Sequence, residues 1–131
     1  MYMLDTNICI YIMKNKPASV RARFEQLQMG DLSMSMITFG ELEYGALRSQ
    51  HAPKSLQALD ELSCYIPVLA MQSEVAKTYA GIRADLASKG TPIGNNDLWI
   101  AAHARTIGAT LVSNNIKEFA RVDGLKLENW V

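Results

Sequence analysis

The sequence predicts an α/β fold with a parallel sheet and helices on both of its faces. Short apolar runs alternate along the chain with longer stretches of helical periodicity, which is the pattern of such folds. One helical stretch, near residues 97–106, is apolar almost all round and is therefore expected at the centre. The 131 residues, 49% of them hydrophobic, suffice for one core, so we expect a single domain spanning residues 1–131.

The first part of the chain predicts a strand followed by two helices. Residues 2–4 form a short apolar run typical of a buried strand, and residues 5–7 are of types that begin a helix. Pro17 fits the first turn of a second helix, and Gly30 fits its end. The apolar stripe of this second helix comprises Val20, Phe24 and Leu27.

A second strand and two more helices are predicted next. Apolar and serine residues alternate over 32–36, which is strand periodicity. Thr38 then fits an N-cap, with Glu41 three residues later as the partner of a capping box. Two helices follow. The apolar stripe of the first comprises Phe39, Leu42 and Ala46, and that of the second comprises Leu56, Leu59 and Leu62. Residues 65–69 predict a strand at an edge of the sheet, because Pro67 interrupts it.

The last half predicts two long helices and two strands. Apolar residues at helical spacing predict a helix through Val75, Tyr79, Ile82 and Leu86, and a loop over 89–94 separates it from the central helix. Residues 110–113 then form a buried strand, which is followed by a helical turn and a last strand containing Leu125 and Leu127.

Charge and cysteine content narrow the function classes. The 13 basic and 13 acidic side chains give a net charge of zero, which argues against a protein that coats polyanions. Cys9 and Cys64 form no CxxC pair and are expected to be buried small hydrophobes in a reducing compartment. Neither a signal peptide nor an apolar stretch of about 20 residues is present, so we expect a cytoplasmic protein that contacts no membrane.

Carboxylates stand where the predicted strands end. Asp5 directly follows the first strand, Glu41 lies early in the helix after the second, and Asp97 opens the central helix. Ligands of parallel sheets bind outside the carboxyl ends of the strands, so these acids are expected to share one pocket with residues 113–115. Carboxylates that share a pocket repel one another, and a hard divalent cation such as Mg²⁺ resolves the repulsion. The implied chemistry is phosphoryl transfer to a metal-activated water.

Two other interpretations of these acids stay open. All three also suit a helix cap, in which case the chain is a non-catalytic, protein-binding α/β module. A haloacid-dehalogenase-like phosphatase would use Asp5 as its nucleophile. That enzyme requires a second aspartate two residues later, where this chain has Asn7.

The same residues resemble the PIN-domain family, and within it the VapC-type toxins of bacterial toxin–antitoxin pairs. The resemblance covers essentially the whole chain and rests on MLDTN at 3–7, SMITFGELEYG at 35–45, GTPIGNNDLWIAAHA at 90–104, SNNIKEF at 113–119 and ENW at 128–130.

The resemblance implies a PIN-like fold with a mostly parallel five-stranded sheet, and an endoribonuclease that depends on Mg²⁺ or Mn²⁺. Asp5, Glu41 and Asp97 match the metal-binding acids of the family, and Thr6 and Ser113 match hydroxyls that support the first acid. The resemblance further implies cleavage of structured RNA, often transfer RNA such as initiator tRNA in the anticodon region, and thereby inhibition of translation. A VapB-type antitoxin neutralises the enzyme in a hetero-oligomer, and the toxin usually forms a homodimer.

The chain departs from this family pattern at one position. Many members carry a fourth acid where this sequence has Asn115, and Glu118 is the nearest carboxylate that could substitute for it. An amide supplies no charge, so a single firmly held ion is expected. A cationic rim for RNA phosphates is predicted from basic residues near helix ends and loops, namely Lys14, Lys16, Arg48, Lys89, Lys117 and Arg121.

Overall fold

The structure, a computed structural model, describes residues 1–131 and consists of five short strands and seven α-helices. The strands are β1 (Tyr2–Leu4), β2 (Leu32–Ser35), β3 (Val68–Leu69), β4 (Thr110–Val112) and β5 (Lys126–Glu128). The helices are α1 (Thr6–Lys14), α2 (Ala18–Glu25), α3 (Met36–Arg48), α4 (Ala52–Tyr65), α5 (Glu74–Ser88), α6 (Asn95–Ile107) and α7 (Ile116–Phe119). A single 3₁₀ turn, Met29–Asp31, precedes β2.

The strands form one sheet in the order β3-β2-β1-β4-β5, and every neighbouring pair is parallel. The predicted parallel sheet is therefore confirmed, as is the edge position of the strand that contains Val68. β1 lies between β2 and β4, with Tyr2 opposite both Leu32 and Thr110. Because all the strands run in one direction, the segments that follow β1, β2 and β4 emerge side by side at one edge.

Helices cover both faces of the sheet, and alternate strand residues divide the core in two. Met3 and Leu111 face a layer built on α5 and α6, while Leu4 and Val112 face a layer built on α1, α3 and α4. The central position predicted for α6 is confirmed, because Leu98 is 4% exposed and Ile100, Ala101, Ala102 and Ala104 are fully buried. No helix of the chain has both the length and the apolar character needed to cross a membrane.

The boundary between β2 and α3 differs from the prediction. The strand ends at Ser35, whose side chain caps α3 by accepting a hydrogen bond from the Ile37 amide, so Thr38 is not the cap. Thr38 lies inside the helix, is fully buried, and its hydroxyl has no hydrogen-bond partner. The serines that seemed to mark a solvent-facing side of β2 are buried, because a central parallel strand is covered on both faces.

Three smaller predictions also need correction. Residue 65 belongs to α4, so the predicted strand over 65–69 shrinks to Val68–Leu69. Gly94, and not Asp97, occupies the N-cap of α6, which places Asp97 in the first turn. Cys9 is buried as expected, whereas Cys64 is exposed.

Candidate active site: a carboxylate cleft at the strand ends

The predicted acids meet in one polar cleft at the carboxyl edge of the sheet. Asp5 follows β1, Glu41 lies on the second turn of α3 after β2, and Asp97 lies in the first turn of α6. The cleft has a volume of about 370 Å³ and none of its lining residues is hydrophobic. It is lined by Asp5, Thr6, Asn7, Glu41, Asp97, Asn114 and Asn115. The convergence predicted from the strand ends is therefore present.

Asp5 is the most deeply placed of these acids, with only 6% of its surface exposed. Its Oδ2 accepts a hydrogen bond from the Ser113 hydroxyl at 2.8 Å, and its Oδ1 accepts one from the Thr6 amide at 2.8 Å. Burial raises the pKa of Asp5, the two hydrogen bonds oppose that rise, and the charge of Glu41 adds to it. A carboxylate oriented by two donors but short of compensating charge is suited to a cation.

Thr6 acts mainly on a different acid from the one expected. Its hydroxyl donates to Glu41 Oε1 at 2.7 Å, and only its backbone N–H reaches Asp5. Thr6 therefore links the first acid to the second, and Ser113 alone supplies the hydroxyl that supports Asp5. The contact expected between Ser113 and the first acid is present, whereas the Thr6 hydroxyl contacts Glu41 instead; the supporting roles of both residues stay predictions.

Asp97 carries the largest electrostatic load in the cleft. Burial, the charges of Asp5, Glu118 and Glu41, and a hydrogen bond to Glu118 together raise its pKa to about 6, with burial the largest cause. Glu118 thus lies beside Asp97, where the sequence suggested that it could replace the missing fourth acid. These four carboxylates raise the free energy of the folded state unless protons or a cation neutralise part of their charge.

Two hydrogen bonds hold Asn115 in the lining of the cleft. Its Nδ2 donates to Glu118 Oε2 at 3.1 Å, and its backbone N–H donates to the Ser113 hydroxyl at 2.9 Å. Asn114 lines the cleft as expected for a residue of the 113–115 segment, and Asn7, which the sequence did not indicate as a site residue, lines it as well. The side chain of Asn114 donates to the Tyr11 hydroxyl at 2.9 Å. The signal for Asn114 was its position directly after a predicted strand.

The donor set fits a hydrated Mg²⁺ ion. No three histidine, cysteine, aspartate or glutamate side chains converge in a geometry that could hold one ion jointly. Mg²⁺ needs no such cage, since it is usually held by one or two carboxylates and keeps several waters. A roomy cleft walled only by oxygen- and amide-bearing side chains, with two carboxyl pKa values raised, matches that requirement.

The predicted RNA-contacting residues lie at different distances from the cleft. α1 and α3 start at the cleft edge and run away from it, so Lys14, Lys16 and Arg48 lie at or beyond their distant ends. At a rise of about 1.5 Å per residue, Arg48 stands about 18 Å along α3 from its start. Lys117 is an exposed residue of α7, which follows β4, and it precedes Glu118 in the sequence. Contact with RNA stays a prediction for these four and for Lys89 and Arg121.

Comparison with known proteins identifies the family. The family model described as PIN domain matches residues 2–125. The chain belongs to the PIN-domain family and to its VapC branch. It is 46% identical to the tRNA(fMet)-specific endonuclease VapC of Shigella flexneri over 129 residues, which is 98% of this chain and 97% of that protein. It is 43% identical to ribonuclease VapC2 of Haemophilus influenzae over 130 residues, covering 99% and 98% of the two chains.

Solved VapBC structures share the fold of this VapC-type chain. A crystal structure of DNA-bound VapBC from Salmonella typhimurium superposes with a TM-score of 0.93 at 40% identity, covering 99% of this chain and 98% of that one. The predicted PIN-like fold is therefore confirmed, and membership of this family removes the haloacid-dehalogenase-like alternative. The order of the strands and the position of the acids place the cleft where the sequence resemblance implied the active site of a PIN domain.

Proposed function

We propose that the chain is a Mg²⁺-dependent endoribonuclease toxin that hydrolyses phosphodiester bonds of RNA and is neutralised by a VapB-type antitoxin. The observation that carries the proposal is the oxygen-lined cleft in which Asp5, Glu41 and Asp97 converge in a VapC-type chain. Transfer RNA is the proposed substrate class, since the Shigella relative is named for tRNA(fMet). Cleavage of the initiator tRNA in its anticodon region would inhibit translation, and we place this activity in the cytoplasm. Homodimerisation stays a prediction.

Asp5 and Asp97 are the residues proposed to hold Mg²⁺, with Glu41 beside them adding negative charge to the site, and Mn²⁺ is expected to substitute. A bound divalent ion supplies charge neutralisation and an acidified water for attack on phosphorus. The protein fixes the carboxylates in advance, because Ser113 orients Asp5 and Thr6 orients Glu41. Side chains that are already oriented need not reorganise when the RNA phosphate arrives.

The ionisation of Asp97 sets a lower pH limit for such a site. With a pKa of about 6 in the metal-free protein, Asp97 is largely protonated below that pH and cannot act as an anionic ligand. Its proton must leave before a cation binds, so metal affinity rises with pH through this range.

This chain has a suitable surface for an antitoxin beside the cleft. An apolar groove of about 430 Å³ runs between α1, α3 and α4 and shares Glu41 with the cleft. Ile10, Leu42 and Leu59 contribute to its lining, and Lys14 lies at its margin. Solved relatives such as VapBC2 of Rickettsia felis, with a TM-score of 0.92 and 39% identity, are toxin–antitoxin complexes. We place the antitoxin in this groove, because a segment seated there would also cover the acids.

The test is cleavage of an initiator tRNA transcript and of an elongator tRNA by the purified protein. We expect cleavage with MgCl₂ or MnCl₂, none in EDTA, and a loss of at least about 100-fold in kcat/KM for Asp5→Asn and Asp97→Asn. Asp60→Asn serves as the control, because Asp60 is an exposed acid on α4 outside the cleft. Cleavage that persists in EDTA or in Asp97→Asn would refute the site, and absence of any metal-dependent cleavage would favour the binding-module interpretation.

A further inference from the structure

A buried hydrogen bond joins the two helices that carry Glu41 and Asp97. His103 on α6 is 1% exposed and Ser35 at the end of β2 is 0% exposed. The ring Nδ1 of His103 lies 2.9 Å from the hydroxyl oxygen of Ser35. The two residues are 68 positions apart in sequence, so the bond is a long-range contact within the core.

The position of the hydroxyl hydrogen follows from the partners of Ser35. Its oxygen accepts the Ile37 amide at 3.2 Å, and His103 is the only other hydrogen-bond partner of this hydroxyl. If the ring donated from Nδ1, the serine hydrogen would be buried without an acceptor, which is costly. Ser35 therefore donates to an unprotonated Nδ1, and the ring carries its proton on Nε2. Burial lowers the pKa of His103, which is consistent with a neutral ring.

The hydrogen bond between Ser35 and His103 is relevant to the cleft because each partner caps or lies on a helix that carries one of the acids. Ser35 is the N-cap of α3, so it fixes the start of the helix on which Glu41 lies. His103 lies on α6 six residues beyond Asp97. The bond thus ties the cap of one acid-bearing helix to the body of the other, on the buried side of both.

We propose that His103 is a positioning residue that, through Ser35, sets Glu41 relative to Asp97. The proposal rests on the proposed ribonuclease function, since the acids matter only if the cleft is the active site. His103 contacts neither acid and takes no part in the chemistry. A small displacement between groups that act on one phosphate is expected to cost activity far more than it costs stability.

The test compares variants that remove the bond with one that restores an acceptor. His103→Leu should lower kcat at saturating Mg²⁺ by about 10- to 100-fold with little change in KM for RNA. His103→Asn, whose amide oxygen can accept from Ser35, should recover most of that loss. Ser35→Ala keeps the histidine ring in place and should reproduce the kcat loss, which covers the case in which His103→Leu does not fold.

Thr106→Val is the matched control. Thr106 lies on the same helix, and its hydroxyl donates to the Ala102 carbonyl and lies 2.9 Å from the hydroxyl of Thr78 on α5, an interhelical contact that does not lead to α3. This variant should lose thermal stability but keep kcat within about twofold. If His103→Leu or Ser35→Ala also loses only stability, or if His103→Asn is as impaired in kcat as His103→Leu, the positioning role is refuted.

A spectroscopic measurement separates this proposal from the ribonuclease activity itself. Long-range ¹⁵N–¹H correlation spectra of the wild-type protein should show His103 with its proton on Nε2 and a bare Nδ1, whether or not the protein cleaves RNA. A ring protonated on Nδ1 would overturn the inferred bond. If the tautomer is as inferred but wild-type protein shows no metal-dependent cleavage, the proposed function fails instead.

Discussion

Asp97 is the cleft residue whose ionisation is most clearly opposed by its surroundings. Its pKa rises from 3.8 to about 6 because the carboxyl is partly buried and faces Asp5, Glu118 and Glu41. The folded state therefore binds more protons than the unfolded state over this range, and stability falls as pH rises through it. Below about pH 4 the residue is protonated in both states, and the penalty disappears.

Replacement of Asp97 by asparagine should therefore stabilise the metal-free protein. We expect Asp97→Asn to exceed the wild type by about 1 to 2 kcal/mol at pH 7, after allowance for solvent screening, and to match it near pH 4. Urea denaturation in EDTA at both pH values measures this difference, with Asp60→Asn as the control. Added Mg²⁺ should narrow the gap at pH 7 by stabilising the wild type alone. A variant less stable than the wild type at pH 7 would instead identify Asp97 as a structural helix residue.

The location of a site residue could be predicted from the sequence where it depends only on the residue's position relative to a strand. Asp5 and Ser113 follow directly from the strands that end beside them, and their contact is present. The hydroxyl contact from Thr6 to Glu41 was not predictable, because it depends on how α3 packs against α1. The sequence marked Asn115 as the position of the family's missing fourth acid and did not indicate its hydrogen bond to Glu118.

At the scale of the elements, the junction between β2 and α3 shows what periodicity misses. The alternation of apolar and serine residues over 32–36 is typical of a strand with one solvent-facing side. The spacing of Thr38 and Glu41 is typical of a capping box. In the structure β2 is buried on both sides, and the buried Ser35 caps the helix three residues earlier. The serines are tolerated in the core because each finds a partner: Ser33 donates to the Tyr2 carbonyl and Ser35 bonds His103. Such tertiary contacts lie beyond any local pattern.

The groove between α1, α3 and α4 gives a test of the antitoxin site at the same scale. Gly45 lines this groove, and a Cβ placed on it would meet no atom within 4 Å. Gly45→Phe should therefore fold, fill the groove and weaken antitoxin binding by at least about tenfold, while RNA cleavage by the free toxin continues. Gly81→Phe on α5, where a Cβ likewise meets nothing within 4 Å, is the control.

Calorimetric titration of both glycine variants with the antitoxin gives the dissociation constants. Equal affinity for the wild type and Gly45→Phe would move the antitoxin to another surface. Loss of cleavage in Gly45→Phe without antitoxin would show that the substitution disturbs Glu41 and not only the groove.

At the scale of the whole molecule, the parallel sheet explains why distant acids share one cleft. β1, β2 and β4 are neighbours, so residues 5, 41, 97 and 113 meet although the chain separates them widely. The alternation of apolar runs with helices was sufficient to predict this edge. Strand order itself was not determined by that pattern; the resemblance to PIN domains implied five mostly parallel strands, and the structure gives their order.

Net charge offers no general attraction for RNA, since acidic and basic side chains balance. α1 and α3 run away from the cleft, so the basic residues at their distant ends lie away from the acids. The local charge around the cleft is therefore negative when no cation is bound. A bound divalent ion would therefore neutralise the carboxylates and remove the electrostatic repulsion that a phosphate would meet in the cleft.

Anomalous diffraction from crystals grown with MnCl₂ tests the metal site most directly. One strong peak in the cleft, coordinated by Asp5 and Asp97 and absent in Asp97→Asn crystals, is the expected outcome. A map without a peak in the cleft of the wild-type protein, or with manganese held by other residues, would show that the carboxylate cluster is not the metal site of this ribonuclease.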